Sequence, residues 1–330
     1  MPPVVCVIGS SNTDMVIKGD KLPAPGETVL GGTFLMNPGG KGANQAVAAA
    51  RLATPANADL TSAPAPTGAI AGAITFVANV GNDVFGQQAL EQFNREGIGT
   101  DHVTVDAGEP SGVALIGVDS RGENCIMVAS GANARLGPAQ VAAALASATA
   151  TTVVLLQLET PMETVGYAIR QSHERGMRVV LNPAPAPPAH QTALDPALLA
   201  CLYVITPNES EAERLTGIRV TDERTARQAA QRLHEGGVPN VVITLGARGA
   251  YLSTPAGAWP VAAPTVTAVD TTAAGDCFNG ALAVAIAEGR ALPDAVAFAC
   301  QAAAISVTRM GAQSSLPHRH EVDALPLPTA

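Results

Sequence analysis

The sequence predicts an α/β fold: a mostly parallel sheet covered by helices, with a small β element projecting from it. Three observations carry this. From residue 138 onward, short apolar strand-like runs alternate with helix-like stretches, and that alternation implies parallel strands joined by right-handed crossovers. Residues 12–38 and 100–129 are strand-rich and do not fit the alternation, so they are assigned to the projecting element. The chain of 330 residues is 47% hydrophobic but only 3% aromatic. Its core must therefore be built from Ala, Val, Leu and Ile, which sheets buried on both faces use well.

Taken in order, residues 4–9 form a β-branched run ending at Gly9, the pattern of a buried strand. Residues 12–38 mix Gly and Pro with apolar residues and read as short strands and turns. Residues 42–52 follow as a helix, with Ala43, Ala46, Val47 and Ala50 sharing a face. Residues 53–72 are low in complexity and rich in Pro, Ala and Thr, which suits an inserted surface loop. A strand at 73–80 and a helix at 83–96 come next, then strand-like stretches at 111–119 and 124–129 around the polar turn 120–123. The alternating region predicts helix 138–148, strand 152–158, helix 161–175, strand 177–182, helix 192–200 and strand 202–206. Helices 208–216 and 222–236 and strand 240–245 continue it. A hairpin pattern at 248–262 and helices at 275–288, 293–309 and 319–326 close the chain.

Bulk properties exclude several classes. The net charge of −9 and a pI near 5.1 argue against nucleic acid or an anionic membrane as partner. Any site for a polyanion must then carry its own donors or a metal. The five cysteines (Cys6, Cys125, Cys201, Cys277 and Cys300) are scattered and form no CxxC pair, which argues against a disulfide framework or structural zinc. The apolar run after Met1 is too short for a signal segment or a membrane span. A soluble, cytosolic protein is the expectation.

The chemistry-bearing segments recur at strand ends. Ala273-Ala274-Gly275-Asp276 leads into an alanine-rich helix, the pattern of a helix N-terminus that receives an anion. A carboxylate there suits a base that takes a proton from an attacking hydroxyl; the plainer reading is a helix cap. Pro38-Gly39-Gly40-Lys41-Gly42-Ala43-Asn44 starts a helix without the GxxxxGK[ST] spacing of a Walker motif. Asn12 and Asp14 after the first strand, and Glu159 after the strand 152–158, suit hydroxyl binding or, more plainly, local turns and caps. Asn208 and Glu211 lie three apart at a helix start, where they can serve a metal-bound phosphate or form a capping box. Thr244 to Gly249 is a loop that can hold phosphates or be an ordinary turn. Each is weak alone, but they share the carboxyl edge of a parallel sheet, where such sheets bind ligands.

Over nearly its whole length, from Val4 to about Asp323, the chain resembles the PfkB carbohydrate kinases. The likeness rests on Gly39 to Asn44 and Asp270 to Asp276, supported by Asn182 to Ala186, Thr206 to Glu209 and Thr308 to Pro317. It implies one domain over 1–330: a three-layer α/β sandwich with a central mostly parallel sheet and a small β-sheet lid, formed by about 12–38 and 100–129. It implies phosphorylation of D-ribose at the 5-hydroxyl by ATP, with Asp276 as base and Ala273, Ala274 and Gly275 as anion hole. Asn12, Asp14, Gly40, Lys41, Gly42, Asn44 and Glu159 would hold the sugar. Asn208, Glu211, Thr244, Leu245, Gly246, Ala247, Arg248, Gly249, Gly275 and Cys300 would meet Mg-ATP, with Glu211 serving Mg²⁺. A K⁺ ion would sit among Asp270, Thr272, Ser306, Arg309, Gly311 and Ser315, and the lid would pair two copies into a homodimer. Two features depart from the family pattern: the 53–72 insertion, and Cys300 where a His or Asn is expected near the adenine. Another kinase of the family, a sugar-binding protein without catalysis, and a Rossmann dehydrogenase are the alternatives. The last lacks GxGxxG spacing, and a pure binder has no use for Asp276.

Overall fold

The computed structural model describes residues 5–53, 73–186 and 195–325. Strand β1 (Val5–Ile8) is followed by β2 (Asn12–Lys18), β3 (Thr33–Gly39) and helix α1 (Lys41–Ala53). Next come β4 (Ile74–Gly81), α2 (Val84–Arg95), β5 (Gly99–Asp106), β6 (Gly112–Val118) and β7 (Asn124–Ala129). The alternating part runs α3 (Pro138–Leu145), β8 (Val153–Leu156), α4 (Met162–Glu174), β9 (Arg178–Leu181), α5 (Pro196–Leu199) and β10 (Val204–Ile205). It continues with α6 (Glu209–Thr216), α7 (Glu223–Glu235), β11 (Val241–Thr244) and the hairpin β12 (Ala250–Thr254) and β13 (Gly257–Val261). Helices α8 (Ala274–Ala287), α9 (Leu292–Ser306) and α10 (Arg319–Asp323) follow.

Nine strands form one sheet in the order β13-β12-β11-β10-β9-β8-β1-β4-β5. It is parallel from β5 to β11; β12 runs antiparallel to β11, and β13, its hairpin partner, turns back to the common direction. Chain order reverses between β1 and β8, which creates a switch point at the carboxyl edge. One core cluster packs α1, α2, α8, α9 and α10 on one face, and a second packs α3 to α7 on the other. Small side chains let α1 and α8 approach closely. A Cβ on Gly280 would stand 2.7 Å from Ala48 Cβ and 2.8 Å from the carbonyl of Gln45. That closeness explains why the core needs alanine more than aromatics.

Four strands form the second sheet, in the order β3-β2-β6-β7. Side chains alternate across it. Asp14 pairs with Ala114, which pairs with Val128, and these face one side. Met15 pairs with Met36 and Leu115, Leu115 with Met127, and Ile17 with Phe34, which places these apolar residues on the opposite side.

The structure departs from the sequence expectation in a few places. Residues 100–106, assigned above to the projecting element, belong to β5 and pair with β4 at the edge of the main sheet. As an edge strand β5 buries only Val103 and leaves Val105, on the same face, exposed, so it lacks the apolar run of the central strands. The helix predicted at 293–309 stops at Ser306, and the one at 192–200 spans only Pro196–Leu199. Residues 54–72 of the insertion, 192–194 and residue 326 lie outside the described residues. Among the described residues no helix is long and apolar enough to cross a membrane.

Candidate active site

The site gathers where β1, β8, β10 and β11 end and α1 and α8 begin. Helix α8 opens at Ala273, a residue with φ of 58°, the left-handed region that L-residues avoid. This turn brings Asp276, in the helix's first turn, to the sheet edge, 7% exposed. Asn44 Nδ2 donates to its Oδ2 at 2.9 Å, and Gln45 Nε2 to its Oδ1 at 3.0 Å. Burial pushes the Asp276 carboxyl above the usual range, opposed by the Lys41 charge and by these amides. Backbone N–H groups in a first helical turn lack intrahelical acceptors, which suits the anion-hole expectation for 273–275. The N–H of Ala274, however, is turned to the carbonyl of Thr271 at 3.2 Å.

The start of α1 depends on glycine. Gly40 has φ of 86°, and a Cβ on Gly42 would lie 2.5 Å from the Ser10 nitrogen. Gly42 is thus buried against the end of β1 and is a packing residue, not part of the cavity surface. Lys41 follows the turn, its backbone N–H donating to Glu159 Oε2 at 3.0 Å and its Nζ 3.9 Å from Glu159 Oε1. Ser10 Oγ donates to the same Oε2 at 2.5 Å. Burial opposes the Lys41 charge, but Asp276, Glu159, Glu211 and Asp14 outweigh it and raise its pKa. Asp14 is pushed up to about 6, first by burial and then by Glu159 and Asp276. Asn12 and Glu159 line a cavity of ≈ 380 Å³ with Ser10, Asn133 and Val128. Asn12 Oδ1 accepts from Asn133 Nδ2 at 2.8 Å, which fixes its amide.

A second cavity holds Lys41, Asn208, Glu211, Thr244, Gly275 and Asp276. It continues into a largely apolar cleft lined by Thr244, Gly246, Ala247, Gly249, Gly275, Phe278 and Cys300. Leu245 is buried behind that wall. Arg248 turns outward, paired with Glu209 and donating to the Thr221 carbonyl at 2.9 Å. Asn208 and Glu211 do form the capping box: Asn208 Oδ1 accepts the Glu211 N–H at 2.8 Å, and Glu211 Oε2 accepts the Asn208 N–H at 2.9 Å. Burial raises the Glu211 pKa. Cys300 is buried, and desolvation pushes its thiol up to about 12, so it offers an apolar surface rather than a thiolate.

The residues expected around a cation are partly assembled. Asp270 accepts from the Thr272 N–H and hydroxyl and, at 2.9 Å, from the Gly311 N–H. Burial opposes its charge, but these bonds hold its carboxyl below the usual range. Ser306 and Arg309 share one turn, since the Arg309 N–H donates to the Ser306 carbonyl at 3.3 Å. The Arg309 side chain pairs with Glu321, and Ser315 donates to the Ala312 carbonyl.

Sequence reasoning gave no role to Gln45, Gln157, Asn182, Asn133 or Gln313, all of which hydrogen-bond within the site. The signal was available. Gln45 interrupts the small apolar face of α1, and Gln157 ends an apolar strand; a buried amide in such a place needs a partner.

Residues 3–319 match the model of the pfkB family carbohydrate kinases. The chain is 41% identical to the ribokinase of Haemophilus influenzae, over 97% of each chain. It is 40% identical to the ribokinase of Bacillus subtilis, over 97% of this chain and 98% of that one. A solved structure of Arabidopsis thaliana ribokinase complexed with ribose and ATP superimposes with a TM-score of 0.83, at 30% identity over 100% of both chains.

Proposed function

The chain belongs to the pfkB family of carbohydrate kinases, and on that premise we propose that it transfers the terminal phosphoryl group of ATP to the 5-hydroxyl of D-ribose. One observation carries the reading. Asp276 is a buried carboxylate at a helix N-terminus, in a cavity with Lys41, Asn208 and Glu211 that opens into an apolar cleft by Thr244 and Cys300. The relatives named ribokinase and the ribose–ATP complex support this choice of substrates.

Asp14, Asn12, Lys41, Asn44 and Glu159 bind the sugar hydroxyls and turn the 5-hydroxyl toward Asp276. Asp276 takes that proton as the oxygen attacks the γ-phosphorus; the bond to the bridging oxygen breaks and ADP leaves. N–H groups at the head of α8 face the charge on the transferring group, and the helix dipole favours it. Asn208, Thr244, Gly246 and Gly249 hold the nucleotide, whose base lies along the apolar cleft by Cys300. Mg²⁺ binds through nucleotide phosphates, water and one or two carboxylates. A single carboxylate, Glu211, beside the amide of Asn208 fits that demand, and Mg²⁺ held there would neutralise phosphate charge. Asp270, Thr272, Ser306, Arg309, Gly311 and Ser315 would offer backbone carbonyls and one carboxylate, a donor set suited to K⁺. The apolar outer face of the small sheet pairs two copies.

The test is ADP release from the purified chain with ATP, Mg²⁺ and K⁺, comparing D-ribose with 2-deoxyribose, fructose and adenosine. Turnover with ribose well above the others is expected. Asp276→Asn should keep ribose binding and lose turnover by about a hundredfold or more. Preference for another acceptor would move the specificity, and near-normal turnover in Asp276→Asn would remove the base.

A further inference from the structure

Asp276 meets amides, not cations, at hydrogen-bond distance. Asn44 belongs to the cavity wall, but Gln45 is 0% exposed and touches no substrate space. Its orientation is determined by its neighbours. Gln157 Nε2 donates to Gln45 Oε1 at 2.5 Å, so the nitrogen of that amide must face Asp276. The same nitrogen donates to Asn182 Oδ1 at 3.0 Å, and Asn182 is turned by its own bond to the Thr206 carbonyl at 3.3 Å. On the other side, Gln313 Nε2 donates to Asn44 Oδ1 at 3.3 Å. Each amide that meets the carboxylate is therefore held at its oxygen by a further amide.

We infer that Gln45, oriented by Gln157, is a positioning residue that keeps Asp276 ionised and aimed at the acceptor hydroxyl. The inference rests on the reading of Asp276 as the base. Burial disfavours the carboxylate, and N–H bonds to the charged form restore it. A neutral amide does so without the ion pair that a lysine would form, which would lower the basicity needed for proton transfer. Two donors on different oxygens also fix the plane of the carboxyl. The charged groups around Asp276 are Lys41 at the start of α1, Glu159 beyond β8, Asp14 on β2 and Glu211 on α6. These act across the cavity, whereas Gln45 acts by direct contact.

The test compares pH profiles of kcat and KM for wild type, Gln45→Met and Gln157→Met, with Asp276→Asn in parallel and folding checked by thermal unfolding. In Gln45→Met, kcat should fall by about tenfold at low pH and recover in part as pH rises. The acidic limb of the profile should move upward by about one pH unit, with KM for ribose within about threefold of wild type. Gln157→Met should move the limb the same way by less, and it carries the test if Gln45→Met does not fold. A uniform loss at every pH would mean a merely structural role and overturn the inference, as would an unmoved profile. An active Asp276→Asn would remove the base itself, and the clamp with it. An inactive Asp276→Asn beside an unmoved Gln45→Met profile would remove only the clamp.

Discussion

Asp14 stands on the inner face of the small sheet, close enough to Glu159 and Asp276 that like charges add to its burial. Its carboxyl is raised from 3.8 to about 6, so the folded chain holds this proton more tightly than the unfolded chain does. Stability tied to that proton is present below the unfolded pKa and is lost as pH rises through about 6. Asp14→Asn should therefore stabilise the fold at about pH 8 by on the order of 1–3 kcal/mol, and the gain should shrink toward about pH 5. The same change should weaken ribose binding, since it replaces one of the two accepting carboxylate oxygens by an NH₂ donor. Urea unfolding at both pH values checks the first claim and ribose titration the second. A pH-independent stability difference would show that Asp14 is not the strained group. The place of Asp14 at the site was legible from its position after β1. Its strained ionisation was not, because Glu159 and Asp276 lie far away along the chain.

At the scale of elements, the chemistry depends on how α1 and α8 lie against each other. Asn44 and Gln45 belong to one helix and Asp276 to the other, and at Gly280 the two pack with no room for a Cβ. Gly280→Ala would force the helices apart by several tenths of an ångström, because Ala48 and the Gln45 carbonyl cannot yield. We expect a loss of about 1–3 kcal/mol, the usual cost of overpacking, with kcat falling more than KM. Calorimetry and steady-state kinetics check this, and an unchanged Tm would contradict the rigid contact. Both helices were legible from apolar spacing, as was their position at strand ends. The amides that tie them were not, because a single sequence gives no pairing between Gln45 on α1, Gln157 at the end of β8 and Asn182 after β9. Strand β5 was misplaced for a related reason. Its mixture of polar and apolar residues gives no sign of which sheet it joins, and only the pairing with β4 distinguishes the two.

For the whole molecule, the unpartnered feature is the outer face of the small sheet. Phe34 and Met127 there are 58% and 65% exposed, with Ile17, Met36 and Leu115 between them. A contiguous apolar face of this kind marks an interaction surface, and a second copy supplies a matching one. Phe34→Asp combined with Met127→Asp should convert a dimer into a monomer by light scattering, while the main sheet stays folded. A wild-type chain that is monomeric at micromolar concentration would refute the pairing. The two parts of the molecule also divide the reaction unequally. Asp276, Asn44 and Gln45 sit on helices packed too tightly to separate, whereas Asp14 sits on strands that leave the main body at Asn12 and return at Gly39. Water is the most abundant hydroxyl compound the base can meet. In the proposed mechanism Asp276 is held by Asn44 and Gln45 on the helices and does not itself distinguish water from sugar. In that mechanism, protection of ATP from idle hydrolysis would fall to the small sheet, which carries Asp14 and would bring a sugar hydroxyl to the γ-phosphate before a water molecule takes its place.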